Sequence, residues 1–264
     1  MIKDITIGQY IPADTPVHNL DPRSKILITF VFITALFLVN TFFGYLYVLA
    51  FMGIALGLSK ISPKYLFRGL KPLVFIIVLT AILNIFMTEG EVLYTIWKLK
   101  ITKEGLIQAA FMCIRLVFLI TGASLLTLTT SPIALTDGIE KLLNPLKKIG
   151  VPAHELAMMM TIALRFIPTL LEETDKIMKA QMARGADFES GNMIARAKAM
   201  VPLLVPLFIS AFRRADELAM AMEARCYRGG DKRTRMKQLK FESRDIFAAI
   251  ITIAFGGLII WSRF

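Results

Sequence analysis

The sequence predicts an all-α integral membrane protein with about five transmembrane helices plus a cytoplasmic region of long, crossed amphipathic helices. Three observations predict it. Of the 264 residues 56% are apolar and the mean hydropathy is +0.62, whereas soluble domains sit near 45–50% apolar. Apolar runs close to the length of a bilayer core recur along the chain. Between the fourth and last of these runs, residues 131–245 hold 19 of the 31 Lys and Arg and 14 of the 20 Asp and Glu. The net charge of +11 fits either nucleic-acid binding or the basic excess of cytoplasmic loops. The apolar runs favour the loops, so no nucleic-acid partner is expected.

Residues 1–25, with Pro12, Pro16 and Pro22, read as an irregular cytoplasmic arm. Asp4, Asp14 and Asp21 and the absence of a small-residue cleavage site argue against a cleavable signal. The region 26–130 reads as four spans. Ile26–Val39 and Phe42–Leu58 would together form a helix of roughly 50 Å, too long for a core of about 30 Å. Asn40, Thr41 and Gly44 therefore mark a turn. Lys60, Lys64, Arg68 and Lys71 form a basic loop on the cytoplasmic side. The third span, Pro72–Met87, leads to an outside loop at Glu89–Glu91, and the fourth runs from Leu106 to Leu128. Arg115 lies in its middle. A charge at that depth is either a functional group or an Arg that pairs inside the bundle or sits near a water-filled groove. A final run, Ile246–Trp261, closes the chain within 246–264.

Residues 131–245 form a cytoplasmic domain dominated by two helices. In the first, from about Ala153 to Ala183, apolar residues from Leu156 to Met182 recur at three-four spacing. Pro168 should bend or divide it. The second starts near Met193 and ends at Ala224, with Pro202 and Pro206 in its apolar middle. Nine of the fourteen methionines fall between Met158 and Met222. They are either core fillers or an adaptable contact surface. Each helix ends in the same small signature, Ala183-Arg184-Gly185 and Ala224-Arg225-Cys226. Taken singly, Arg then Gly is a common helix stop. Twice in one block, it also presents two guanidinium forks suited to carboxylates on a partner. The run Lys232, Arg233, Arg235, Lys237, Lys240 reads as the basic flank of the last span, or as a lipid-headgroup patch.

No phosphate-binding Gly-rich loop, nucleophile elbow, zinc-binding His pair or Cys-x-x-Cys motif occurs. Cys113, Cys226, His18 and His154 form no ligand cluster in sequence, so neither catalysis nor a metal is expected.

The stretches Leu20–Lys25, Leu164–Pro168 and Ala221–Tyr227, with the two Ala-Arg-x triplets, resemble the transmembrane T-component of energy-coupling-factor (ECF) transporters, relatives of cobalt and biotin transporter permeases. The resemblance covers nearly the whole chain. It implies a non-catalytic coupling subunit of an ATP-driven micronutrient importer in a prokaryotic cell membrane, with the C-terminus outside. It implies two ABC-type ATPase partners that carry ATP and Mg, with no cofactor on this chain. Arg184 would dock one ATPase and Arg225 the other. The second triplet ends in Cys226 and not glycine, a variation the family tolerates. A small substrate-capture S-component would sit on the apolar face that includes Met159, Met160, Phe166, Leu204 and Phe208. The alternative is a membrane-anchored scaffold whose helix pair lies on the lipid surface.

Overall fold

The computed structural model describes residues 10–96, 99–188, 192–229 and 239–262. All but Lys240 of the basic run 232–240 lies outside them. The described residues divide into two compact units, residues 10–139 with 239–262, and residues 140–229.

In the first unit, α1 (Pro22–Leu38) begins earlier than the apolar run suggested. Asp21 caps it by accepting the Arg23 N–H, and Pro22 sits in the first turn, where its missing donor costs nothing. Thr41 caps α2 (Phe42–Ser59) in the same way. The turn between them is tight: a Cβ on Gly44 would lie 2.7 Å from Val39. The segment expected to be a basic loop contains α3 (Pro63–Leu70), because Pro63 starts a turn that buries Leu66 against Ile61 and Leu128. A 3-10 turn, Lys71–Leu73, leads into α4 (Val74–Met87). The loop expected to lie outside carries an antiparallel pair not foreseen from sequence, β1 (Val92–Ile96) and β2 (Leu99–Thr102). Thr102 then caps α5 (Lys103–Thr129). The last helix, α9 (Ser243–Trp261), starts at a capping box formed by Glu242 and Asp245.

Phe32, Leu36, Val48, Phe255 and Ile259 from α1, α2 and α9 form the buried core. Gly122 of α5 lets that helix close on it, since a Cβ there would stand 2.6 Å from Phe32. Around this core the surface is apolar: Phe43, Phe75 and Ile253 are 79%, 74% and 73% exposed. Such surfaces belong in lipid.

Arg115 is central in sequence but not in the bundle. Lys25 Nζ donates to Thr129 O at 2.8 Å, and Arg115 Nη2 donates to Val39 O at 2.9 Å. Both pairs of positions are about 21 Å apart along α1 and α5. Arg115 therefore stands level with the end of α1, where it meets the unpaired carbonyls and negative end of that helix. The start of α2 and the end of α9 share this level, for Gly44 lies beside Val39 and Ser262. Its Nη2 thus has a helix end as partner, while its Nε is buried with no hydrogen-bond partner among the described residues.

The second unit contains the end of α6 (Pro132–Leu143), a 3-10 turn, Asn144–Ile149, and two long helices. These are α7 (Ala153–Ala183) and α8 (Met193–Ala224), of 31 and 32 residues. Pro168, Pro202 and Pro206 divide neither of them.

By length and composition, five helical stretches among the described residues can cross a membrane: α2, Pro63–Met87, α5, α7 and α9. The number expected holds but the set differs. At 17 residues α1 is short, whereas the first half of α7 has few charges and qualifies.

Candidate functional site: the two arginine-tipped helix ends

The helix pair runs antiparallel. Glu173 of α7 accepts from Arg214 Nη2 at 3.0 Å and from the Ser210 hydroxyl, both on α8. Tyr227, just past α8, reaches His154 and Met158 in the first turns of α7. As α7 advances, its partner positions on α8 recede. The two C-terminal ends therefore lie at opposite ends of the pair, with on the order of 40 Å of helix between them.

Both ends are built alike. At the first, Gly185 N–H bonds to Met182 O and Ala186 N–H to Gln181 O, each at 3.0 Å. At the second, Cys226 N–H bonds to Glu223 O at 2.8 Å and Tyr227 N–H to Met222 O at 3.0 Å. Each is a Schellman closure that satisfies two orphan carbonyls. Ala183 and Ala224 are the last helical residues, and Arg184 and Arg225 are the caps. Gly185 and Cys226 hold the left-handed positions, at φ 89° and 55°. Glycine adopts this backbone freely, but cysteine does so at a cost of about 1 kcal/mol or more. Both arginines are exposed, and neither has an ion pair among the described residues. The helix-stop and guanidinium-presentation readings of the triplets describe one geometry: the closure sets the direction in which the arginine leaves the helix.

The two ends differ in their anchoring. The Tyr227 hydroxyl stands 3.4 Å from His154 Nε2, and His154 Nδ1 is 3.1 Å from Glu140 Oε1 on α6. With Nδ1–H donated to Glu140, Nε2 is left as acceptor for the tyrosine. Met158 Sδ, 3.2 Å away, is a second acceptor. The Arg225 end is thus tied to the base of α7. Sequence reading missed this clamp, because residues 140, 154 and 227 show no local spacing.

Met159, Met160, Leu204 and Phe208 are exposed and Phe166 is half-buried. The antiparallel register puts Met159 and Met160 towards the Arg225 end, and Leu204 and Phe208 towards the Arg184 end. A partner using all five would contact both halves of the pair.

The Leu20–Lys25 motif has a separate role within the first unit. Asp21 accepts from Arg23 N, Nε and Nη2 at 2.9, 3.0 and 2.8 Å, and its own N–H donates to Asp245 Oδ1 at 2.8 Å. Burial pushes the Asp21 carboxyl up, but the Arg23 hydrogen bonds and charge outweigh it and hold the group below its usual value. Lys25 is 6% exposed and donates to the His18 and Thr129 carbonyls. Burial lowers its ammonium to about 8, against the opposing pull of Asp245 and Asp21. The motif is a polar latch that joins α1, α5 and α9. The signal for its far partner was the Glu242-x-x-Asp245 capping spacing. Among the described residues no cluster of His, Cys, Asp or Glu is placed to hold a metal.

A family model for the cobalt transport protein CbiQ matches residues 13–236. The chain is 64% identical over 266 residues to the energy-coupling factor transporter transmembrane protein EcfT of Clostridium kluyveri, covering 100% of this chain and 98% of the relative. The chain belongs to this family of transporter transmembrane proteins. The EcfT protein of Thermosediminibacter oceani is 65% identical over 265 residues, with 100% and 99% covered. That of Bacillus subtilis is 49% identical over 264 residues, with both chains covered in full. An EcfT-family chain is a non-catalytic, multi-pass membrane subunit, the transmembrane component of its transporter, and ATP hydrolysis belongs to separate chains.

Proposed function

We propose that this EcfT-family chain is the mechanical coupling between two ABC-type ATPases and a small membrane-embedded capture subunit that binds a micronutrient. The observation that carries the reading is the matched pair of helix ends. Two identical closures project two exposed arginines from opposite ends of one antiparallel helix pair. Each guanidinium is suited to a bidentate carboxylate contact in a groove of one ATPase. ATP and Mg are bound by those ATPases, and this chain holds no cofactor. When the ATPases close, the two ends move relative to each other, and α7 and α8 shift their exposed apolar face. The capture subunit rests on that face, against Met159, Met160, Phe166, Leu204 and Phe208, and reorients. The helix pair, α7 included, and the N-terminus lie on the cytoplasmic side, as the basic excess of residues 131–245 supports, and with α1 crossing alongside α2, α4, α5 and α9 the C-terminus lies outside.

The test is affinity purification of the chain from its native membrane, wild type beside Arg184→Glu/Arg225→Glu, with ATP-driven uptake measured in parallel. The expected result is that two ATPases and a small apolar protein accompany the wild type. The ATPases and uptake are lost in the double variant while the chain stays monodisperse. Retention of the ATPases by the double variant would reduce the two arginines to helix caps.

A further inference from the structure

The first unit contains a cleft that the coupling reading does not use. It has a volume of about 460 Å³ and lies between α1, α2, α5 and α9. Phe32, Phe51, Leu125, Phe247 and Ile251 line its walls. Its foot is polar: Lys25, Ser243 and Arg244 meet there. Pro16, Val17 and Leu20 line its foot, and its helical lining residues run from the Lys25 end of each helix to about mid-helix, at Phe32, Phe51 and Thr252, so the cleft spans about one leaflet's depth.

Three features define what fits. Along α1 the cleft runs from Lys25 to Phe32, about 10 Å, a length that suits part of a hydrocarbon chain. The walls are apolar, so water gains no partners there. Left empty, the cleft would forfeit the close packing that holds helices together in a bilayer. The foot is cationic and incompletely paired. Lys25 carries three N–H donors, and two of them go to the His18 and Thr129 carbonyls. The third has no acceptor among the described residues. The Arg244 side chain is 54% exposed, and its carboxylate neighbour, Glu242, is 3.8 Å away, too far for a strong contact.

We infer that this cleft binds one anionic phospholipid, with an acyl chain between α1, α2, α5 and α9 and the phosphate at Arg244 and Lys25. The lipid acts as a fourth wall for the α1–α9 contact next to the Asp21 latch. The inference is independent of the coupling reading, because it needs only that the first unit sits in a membrane.

The experiment uses the full chain with Trp97→Phe and Trp261→Phe, reconstituted in phosphatidylcholine vesicles. Phe247→Trp reports at the cleft, and Phe43→Trp, on the exposed part of α2, reports ordinary boundary lipid. Quenching by dibrominated phosphatidylglycerol is compared with quenching by dibrominated phosphatidylcholine at each reporter. Because the ratio is taken at one position, reporter depth cancels. A preference of about fivefold for phosphatidylglycerol is expected at Phe247→Trp, the effect of one basic group at a membrane surface, with none at Phe43→Trp. Arg244→Gln, a change at an exposed position, should lower the cleft ratio severalfold, Lys25 being left as the remaining cation. Ala55→Leu should lower quenching by both lipids at the cleft alone. Equal preference at the two reporters, no preference at either, or a ratio unchanged by Arg244→Gln would each overturn the inference.

Discussion

The membrane unit and the helix pair are stabilised in opposite ways. The first closes around a core of Phe32, Leu36, Val48, Phe255 and Ile259, with a buried polar latch joining α1, α5 and α9. The second leaves most of its apolar side chains exposed: α7 buries Ala153 and Ala157, and α8 buries Leu203. Its defined features are a few polar ties, Glu173 with Arg214 and Tyr227 with His154, and the two closed ends. A packed core resists small displacements, whereas a sparsely packed pair held by few contacts can change its crossing. The difference separates a unit with a packed core from a sparsely packed helix pair.

Five substitutions sharpen this contrast. Asp21→Ala should have the largest effect. It removes the acceptor of three Arg23 donors and a neighbouring counter-charge of buried Lys25, at a cost of about 3 kcal/mol or more. Thermal unfolding in detergent should shift strongly downward, and any co-purifying ATPase should be lost only as far as the chain unfolds. Gly122→Val comes next. Its added carbons meet Phe32 and should cost about 1–3 kcal/mol, read as a lower unfolding midpoint with unchanged ATPase binding in the folded fraction. The reverse result, stable protein with lost partners, would place a docking role in the anchor.

Tyr227→Phe tests the helix pair itself. Loss of the hydroxyl should cost about 1 kcal/mol and lower uptake, while Arg184 docking is preserved. His154→Gln, which keeps an acceptor and a donor, should fall between Tyr227→Phe and wild type. If both variants transport like wild type, the clamp has no part in transmitting motion. The smallest effect has the opposite sign. Cys226→Gly relieves the left-handed backbone at φ 55°, partly offset by chain entropy, and should stabilise the α8 end by about 0.5–1 kcal/mol. Hydrogen exchange at the Cys226 and Tyr227 amides would report it, and faster exchange would contradict the closure geometry.

The elements that could be read in advance were those with local signals. The three-four spacing from Leu156 to Met182 and the Ala-Arg-x ends marked α7 and α8, and Thr41 with Gly44 marked the α1–α2 turn. Helix α3 was hidden because its charges, Lys64 and Arg68, read as a loop, while its one buried side chain, Leu66, gave no periodicity. The β1–β2 pair was hidden because Lys98 and Lys100 interrupt the apolar pattern that strands normally show.

The sequence by itself determined that this chain is helical and membrane-bound, and where its two arginine signatures fall. These follow from composition, period and helix-end chemistry, which act over a few residues. Only the tertiary structure decided that Asp21 meets Asp245, that Arg115 closes the end of α1, and that Tyr227 returns to His154. It also decided that the two arginines stand at opposite ends of one pair. Those facts join residues from tens to more than two hundred positions apart, and packing between helices chooses among many partners that one-dimensional periodicity leaves equivalent.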